Sequence, residues 1–277
     1  MFYFLVLYGL VLLFGQLEVK AQVKLIEDPF TKEVIIKESI SSIAEWHYEY
    51  ESGSVDTLKE GVLVGFTSFN DKGEWIVRKT ALPDEEDKQL GLTREITYMG
   101  DSMARLMVYD YKGDLLSKSY SYMEQGNPTE WVSYDEDSVS QGRVKNSCDD
   151  QGNLLTAKTF KEDGSLQYHF IYEYDATGEL IRETRYVSNN EAYVRTKVEK
   201  EGPLIRVWKE LDDDGYPFLV TTKIYDELGR LIREKTDGAY IPDKTYAYFG
   251  KSTLIDYIIS TQGGSPVSIT KYRYTRR

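Results

Sequence analysis

The chain has 277 residues, a formal net charge of −12, one cysteine and two histidines, and 13% of its residues are aromatic, with Tyr the commonest. The negative charge disfavours nucleic acid and anionic membrane surfaces as partners. A lone cysteine excludes an intramolecular disulfide, and so few Cys and His residues leave little for a zinc site or a histidine-based triad. The abundance of Tyr predicts β-sheets with much wet surface.

The first segment, MFYFLVLYGLVLLFG, is almost wholly apolar and is followed by the polar stretch QLEVKAQ. Val19 and Ala21 fit the small-residue rule for signal-peptidase cleavage, which predicts a signal peptide at residues 1–21 cut before Gln22. Its apolar run of about 14 residues is shorter than the roughly 20 that a transmembrane helix needs. We therefore expect an exported protein, secreted, periplasmic or at the cell surface, with no membrane span after cleavage.

Residues 22–60 do not share the pattern of the rest of the chain and are interpreted as an N-terminal cap region. Within them, Thr31–Trp46 is the strongest candidate for a helix. Residues 61–277 are predicted to form a β-repeat domain.

A seven-residue phrase recurs through that domain, with an aromatic or apolar residue first, Gly fifth and an apolar residue seventh. Its copies are FNDKGEW, YDYKGDL, CDDQGNL, FKEDGSL, YDATGEL, VEKEGPL, LDDDGYP and YDELGRL. Neighbouring glycines such as Gly152, Gly164 and Gly178 are 12 and 14 residues apart, which gives a period of about 13. A fixed period of this kind indicates one small structural unit, repeated.

The chemistry of each unit predicts a tight hairpin turn. Asp at the second position can accept a hydrogen bond from a backbone N–H two residues on, and Gly three positions later can take a positive φ. That combination is typical of a type I turn followed by a left-handed Gly bulge. The turn residues predicted with most support are Asp110, Gly113, Asp175, Gly178, Asp226 and Gly229.

Between turns, eight or nine residues remain, which is the length of one strand. The predicted fold is therefore all-β, an antiparallel meander of strand-turn units. Both faces of the segment Leu180–Tyr186 carry charge, whereas a lipid-spanning barrel needs one apolar face. This favours a long, twisted, open or partly rolled sheet.

The string YDELGRL at Tyr225–Leu231 resembles the signature of the YD-repeat (Rhs) family, and YDATGEL and YDYKGDL depart from it at Glu179 and Asp114. The looser pattern is similar to MORN-type hairpin repeats. The resemblance implies extracytoplasmic β-hairpins that build shells, stalks or surfaces, in contact with carbohydrate or cell surfaces or in toxin delivery. The period here is shorter than the family's, which favours a small secreted repeat protein over a complete toxin-delivery machine.

The first functional hypothesis is an exported, non-enzymatic scaffold or binding protein that contacts carbohydrate or a protein partner. Rows of Tyr can stack on sugar rings or anchor a protein. The candidate binding face comprises Tyr168, Phe170, Tyr172, Tyr174, Tyr246 and Tyr248. The alternative reading of these rings is that they cover a buried sheet face.

Two further hypotheses remain open. A secreted hydrolase could use an unrecognised Asp/Glu pair, and a partner or immunity-like protein for an exported toxin could dock by strand addition at a free sheet edge. Nucleophile-elbow, zinc-protease, Walker and dinucleotide-binding motifs are absent from the sequence. We therefore predict no catalytic residue, metal ligand or cofactor.

Overall fold

Eighteen antiparallel strands form one closed ring in the computed structural model, which describes residues 30–49, 61–80, 91–124, 127–187, 192–237 and 241–277. Consecutive strands pair throughout, and the first strand pairs with both the second and the last. The strands are β1 Ile40–Glu49, β2 Val62–Phe69, β3 Trp75–Thr80, β4 Leu92–Tyr98, β5 Met103–Tyr109, β6 Leu115–Glu124, β7 Asn127–Asp135, β8 Ser140–Cys148, β9 Leu154–Phe160, β10 Leu166–Tyr174, β11 Leu180–Val187, β12 Ala192–Lys200, β13 Ile205–Leu211, β14 Pro217–Tyr225, β15 Leu231–Asp237, β16 Asp243–Tyr248, β17 Ile255–Gln262 and β18 Ser265–Arg276.

The closed ring corrects the fold predicted from sequence. An all-β meander is present, but the open or partly rolled sheet is wrong because β1 pairs with β18 over the range Ile40–Glu49. The descriptions of the chain as a YD-repeat, Rhs-repeat or hairpin-repeat array are also wrong, since the strands close on themselves instead of forming a linear stack. Each described strand has two neighbours, so strand addition at a free edge loses its structural basis.

The repeated phrase forms the tight turns. Gly178 has a φ of 78° and its N–H donates to the Asp175 carbonyl at 2.9 Å, while the Asp175 carboxylate accepts from the Thr177 N–H at 2.8 Å. Asp110 and Asp226 accept equivalent bonds from backbone N–H groups two residues on. The corresponding glycines, Gly113 and Gly229, also have positive φ. The six predicted turn residues therefore all lie in hairpin turns.

A second irregularity follows these turns and explains the curvature. In the β10–β11 pair the register passes from Glu173 opposite Arg182 to Tyr174 opposite Leu180, which leaves Ile181 as a bulge. The β5–β6 and β14–β15 pairs skip one residue at the same place. Bulges bend a strand and increase its twist, and strongly twisted sheets beyond about ten strands tend to curl.

The two faces of the ring differ in burial. On β9, Ala157 and Thr159 are 4% and 6% exposed, whereas Lys158 between them is exposed. Side chains converge on the concave side of a closed sheet, so Ala157 and Thr159 mark its inner face. Residues opposite each other in register share a face, and the pairing therefore carries this assignment from strand to strand around the ring.

One short helix, α1 (Lys32–Lys37), precedes β1 and lies at one end of the barrel, called here the α1 end. Lys32 forms an ion pair with Glu74 at 3.1 Å, beside the β2–β3 turn. The fully buried Ile35 packs in a cluster with Ile40, Ile43 and Leu254, against Phe69, Tyr272 and Tyr274. The helix predicted within Thr31–Trp46 is thus present over six residues, and the rest of that segment is mainly β1.

Sequence expectations for residues 1–21, including the signal peptide and its cleavage site, lie outside the described residues. Of the predicted cap region 22–60, the structure describes Phe30 to Glu49, which holds α1 and β1.

Candidate functional site

All six aromatic residues proposed from sequence lie on the inner face, in two separate sectors. On β10, Tyr168 and Phe170 stand opposite Thr159 and Ala157, and Tyr172 and Tyr174 continue the row. Tyr246 and Tyr248 occupy β16. The two sectors are six strands apart in the ring, so they do not form one continuous aromatic face.

Two of these residues have a structural task at the α1 end. The Tyr174 hydroxyl donates to the Leu154 carbonyl at 2.8 Å, and the Tyr248 hydroxyl donates to the Leu231 carbonyl at 2.8 Å. Burial raises the pKa of both hydroxyls to about 12. These hydroxyls are therefore committed to the fold, whereas Tyr168 and Phe170 lie further inside the barrel, with ring centroids 6.1 Å apart.

A charged row adjoins the β10 sector. The row runs across four neighbouring strands, with each residue opposite the next in register: Tyr172 on β10, Glu183 on β11, Thr196 on β12 and Glu210 on β13. Two carboxyl groups therefore face the inside of the barrel, with their Cα atoms two strand spacings, or about 9.5 Å, apart. Among the described residues, neither carboxylate accepts a hydrogen bond. Burial raises the pKa of the Glu183 carboxyl; Arg195 opposes the shift and Glu210 adds to it.

Trp208 lies two residues before Glu210 on β13 and on the same face. The Lys223 ammonium sits 4.5 Å from the centre of its indole ring, and the buried indole N–H has no hydrogen-bond partner among the described groups. This tryptophan, together with Glu183 and Glu210, was missed in sequence reasoning. The pattern that could have identified them in the sequence is the alternation of side chains along a strand, which puts Trp208 and Glu210 on the same face.

Two arginines complete this sector toward the end of the barrel opposite α1. Arg185 lies with its guanidinium 5.5 Å from the Tyr168 ring centre, and it pairs with Asp213 at 3.5 Å. Arg195 pairs with the same Asp213 at 3.0 Å. Asp213 belongs to the β13–β14 turn, so both arginines form their ion pairs at the rim.

A third carboxyl group of the inner face lies nearly across the ring, on β1. The Glu45 carboxyl sits over Gly65, where a Cβ atom would approach its carboxyl carbon to 2.9 Å. Burial raises the pKa of the Glu45 carboxyl, and Arg78 opposes the shift. Tyr272 stands opposite Glu45 in register. The inner face therefore carries rings beside carboxylates on two walls.

The turn residue Asp175 belongs to an ion network at the α1 end. Lys200 contacts Asp175 at 2.6 Å and Glu179 at 2.9 Å, and Arg206 holds Glu179 with two hydrogen bonds of 2.7 and 2.9 Å. Arg206 also donates to the carbonyl of Gly202 in the next turn at this end, and to that of its neighbour Ile205 at the start of β13. This network connects two turns and has a structural role.

The remaining candidates have ordinary positions. His47 and His169 lie within β1 and β10, and Cys148 is a half-buried free thiol at the end of β8. The described part of the chain contains no cluster of three or more His, Cys, Asp or Glu that could hold a metal ion. Nor does it contain a helix long and apolar enough to cross a membrane.

Comparison with known proteins gives structural neighbours only. No family model and no curated protein matches the chain. A porin-like protein from Bacteroides uniformis matches with a TM-score of 0.46 and 10% identity over 86% of this chain and 97% of that one. A porin-like protein from Bacteroides vulgatus matches with a TM-score of 0.37 and 9% identity over 85% of this chain and 98% of that one. A protein of unknown function from Bacteroides fragilis matches with a TM-score of 0.20 and 15% identity over 56% of this chain and 88% of that one. Similarities at this level carry no argument about function.

Proposed function

We propose that the chain is an exported, non-enzymatic binding protein that works in water and takes up carbohydrate or a protein segment inside its barrel. It would act in the cell envelope or outside the cell, after loss of the signal peptide. The observation that carries the proposal is the distribution of charge between the two faces.

Charged side chains recur on the outer face of most strands, including positions near their middles. The register places these basic residues there: Lys79, Arg105, Lys118, Arg143, Lys145, Lys158, Arg182, Lys197, Lys209, Arg233, Lys235, Lys271 and Arg273. A basic residue on the lipid face of a barrel costs about 2–4 kcal/mol at the bilayer midplane. An outer face with this many basic residues is therefore more stable in contact with water than in contact with lipid.

The inner face supplies what a ligand needs. It combines aromatic rings with two carboxylates and an indole N–H that have no hydrogen-bond partner in the part of the chain that the structure describes. Convergent groups of this kind on a rigid wall are typical of ligand sites. Because α1 lies at one end, we expect the ligand to enter from the end that carries Asp213.

The proposal can be tested by expressing the full chain with its leader in a bacterial host. We expect the processed protein in the periplasm or medium without detergent, monodisperse in light scattering and inactive in liposome-swelling assays. A glycan array and a pull-down with envelope extract should then retain a ligand. Recovery only in detergent, together with solute flux through liposomes, would overturn the proposal in favour of a pore. Turnover of a polysaccharide panel would favour the hydrolase, and specific capture of an exported toxin would favour the immunity-like partner.

A further inference from the structure

We propose that the wall formed by β10–β13 is the binding subsite for a neutral oligosaccharide. The subsite is defined by Tyr168, Phe170, Glu183, Trp208 and Glu210, and is called here the β10–β13 wall. The inference rests on the proposed function, because it names the ligand class and the part of the inner face that takes it up.

The first argument is the match between apolar and polar groups. Sugar rings present C–H faces that stack on aromatic rings, and hydroxyl edges that need donors and acceptors. Tyr168 and Phe170 lie on the inner face of β10, and Trp208 lies three strands away on β13. Glu183 lies between these ring groups on β11, and Glu210 lies beside Trp208 on β13. An extended chain of sugar units lying across the strands would meet rings at both ends and carboxylates along its length.

The second argument is that polar groups of this wall lack partners among the described residues. The Trp208 indole N–H is buried and has no hydrogen-bond partner there, and the half-buried carboxylates of Glu183 and Glu210 accept no hydrogen bond there. Sugar hydroxyls both donate and accept, so one ligand could satisfy the carboxylates and the indole together. The basic groups nearby are already engaged, since Arg185 and Arg195 bind Asp213 at the rim and Lys223 stacks on the Trp208 ring.

Charge decides which sugars fit. The wall and its rim carry three carboxylates, Glu183, Glu210 and Asp213, and three basic groups, Arg185, Arg195 and Lys223. The basic groups are already engaged by Asp213 or by the Trp208 ring, so the anionic group of a uronic acid or sulfated sugar would enter a partly dehydrated, charge-balanced site without a cation of its own. We therefore expect neutral oligosaccharides to bind and acidic ones to be rejected.

The test compares inner-face variants with matched outer-face variants. Trp208→Phe removes the indole N–H and keeps an aromatic ring, and Glu183→Gln removes the charge and keeps the shape. Trp46→Phe is the control for the first. Trp46 on β1 also has a buried indole N–H that finds no partner among the described residues, but it lies on the outer face. Glu95→Gln, on the outer face of β4, is the control for the second.

Binding is measured by calorimetry with the best neutral oligosaccharide found on a glycan array. We expect each inner-face variant to weaken binding at least about fivefold, since an unmade buried hydrogen bond costs about 1–3 kcal/mol, and each control to bind like wild type. Tryptophan fluorescence gives a second readout: saturation with the sugar should change emission in wild type and in Trp46→Phe, and the change should be largely lost in Trp208→Phe. Thermal melting checks that the variants fold.

Three outcomes overturn the inference. The first is an array that retains no neutral glycan, and the second is a preference for acidic glycans. The third is a neutral ligand whose affinity is equal in wild type and inner-face variants. A protein retained in the pull-down under the first outcome would leave the proposed function standing. A protein that needs detergent and forms a pore would contradict both the proposed function and this inference.

Discussion

The Tyr174 hydroxyl donates a 2.8 Å hydrogen bond to the carbonyl of Leu154, which lies 20 residues earlier and at the adjacent turn of the α1 end. The same relation joins Tyr248 to Leu231, and Tyr274 to Ile255. Tyrosines near the α1-end termini of β10, β16 and β18 therefore fasten these strands to the α1-end starts of β9, β15 and β17, the strands that precede them.

Removal of one such bond should cost a measurable part of the stability. We expect Tyr174→Phe to lower the free energy of unfolding by about 1 kcal/mol, because the Leu154 carbonyl then loses a buried donor. Urea unfolding followed by circular dichroism measures the change. Tyr168→Phe is the control, since its hydroxyl has no hydrogen bond among the described residues. Equal losses in the two variants would contradict the assigned role.

The network around Arg206 predicts a larger effect and a pH dependence. Arg206 is 5% exposed, and Arg206→Met would leave Glu179 with Lys200 alone. We expect a loss of about 2 kcal/mol, between the values for exposed and buried ion pairs. Arg182→Met, in the exposed pair with Glu173, should cost less than about 1 kcal/mol. Urea unfolding at pH 7 compares the two, and similar small losses would argue against the network.

The sign of the pH effect follows from the carboxyl groups in this network. The hydrogen bonds from Arg206, followed by Lys200, hold the pKa of Glu179 below its ordinary value. Although burial acts to raise it, the pKa of Asp175 is also lowered, by hydrogen bonds from Lys200 and Thr177. A lowered folded-state pKa contributes stability above the unfolded-state pKa, and that stability is lost as the pH falls. The difference between wild type and Arg206→Met should therefore shrink below about pH 4.5; a constant difference down to pH 2 would contradict this.

The β7–β8 turn offers a stabilising substitution. Ser138 occupies the position that Gly takes in the other copies, with a φ of 68°, and its N–H donates to the Asp135 carbonyl at 3.2 Å. We expect Ser138→Gly to raise the free energy of unfolding by about 0.5–1 kcal/mol, because Gly adopts positive φ without steric cost. The reverse change, Gly178→Ser, should lower it by a similar amount. Thermal melts of both variants measure the effect, and a destabilised Ser138→Gly would count against it.

Closure of the ring can be tested by a disulfide between β1 and β18. Ala44 and Arg273 stand opposite each other in register on the outer face, and opposed residues of antiparallel strands have Cα separations that suit a disulfide. In a Cys148→Ser background, Ala44→Cys with Arg273→Cys should cross-link on oxidation and shift mobility on a non-reducing gel. Ala44→Cys with Lys235→Cys, on a distant strand, should not. Failure of the first pair to cross-link would contradict closure.

The local structure was accessible from the sequence, because turn chemistry is local. Asp175 and Gly178 identify a hairpin turn without any knowledge of the neighbouring strands. Ser138 shows the limit of that approach: its segment lacks the Gly of the repeated phrase, and yet it forms the same tight turn with a Ser at positive φ in place of Gly.

Closure of the ring could not be predicted from the sequence, because it depends on the pairing of the first strand with the last. Charge on both faces of Leu180–Tyr186 argues against lipid, but it does not distinguish an open sheet from a closed ring that is wet outside and polar inside. The bulge at Ile181 also changes which residues share a face, since Leu180 falls opposite Tyr174 and not in phase with Arg182. Simple alternation therefore failed near each turn. The β10–β13 wall was missed for a different reason: alternation puts Trp208 and Glu210 on one face of β13, but only the pairing around the ring shows that this face is the inner one.

The pairing of β1 with β18 has a consequence for the timing of folding. Ser41 and Thr275 are joined by a hydrogen bond across 234 residues of chain, so the last seam of the ring cannot form until nearly every strand has been synthesised. Contacts of such sequence separation form slowly, and strand edges exposed meanwhile invite wrong pairing. Under the proposed export, this delay favours translocation, because a chain whose ring has not closed can still pass unfolded through a translocation channel.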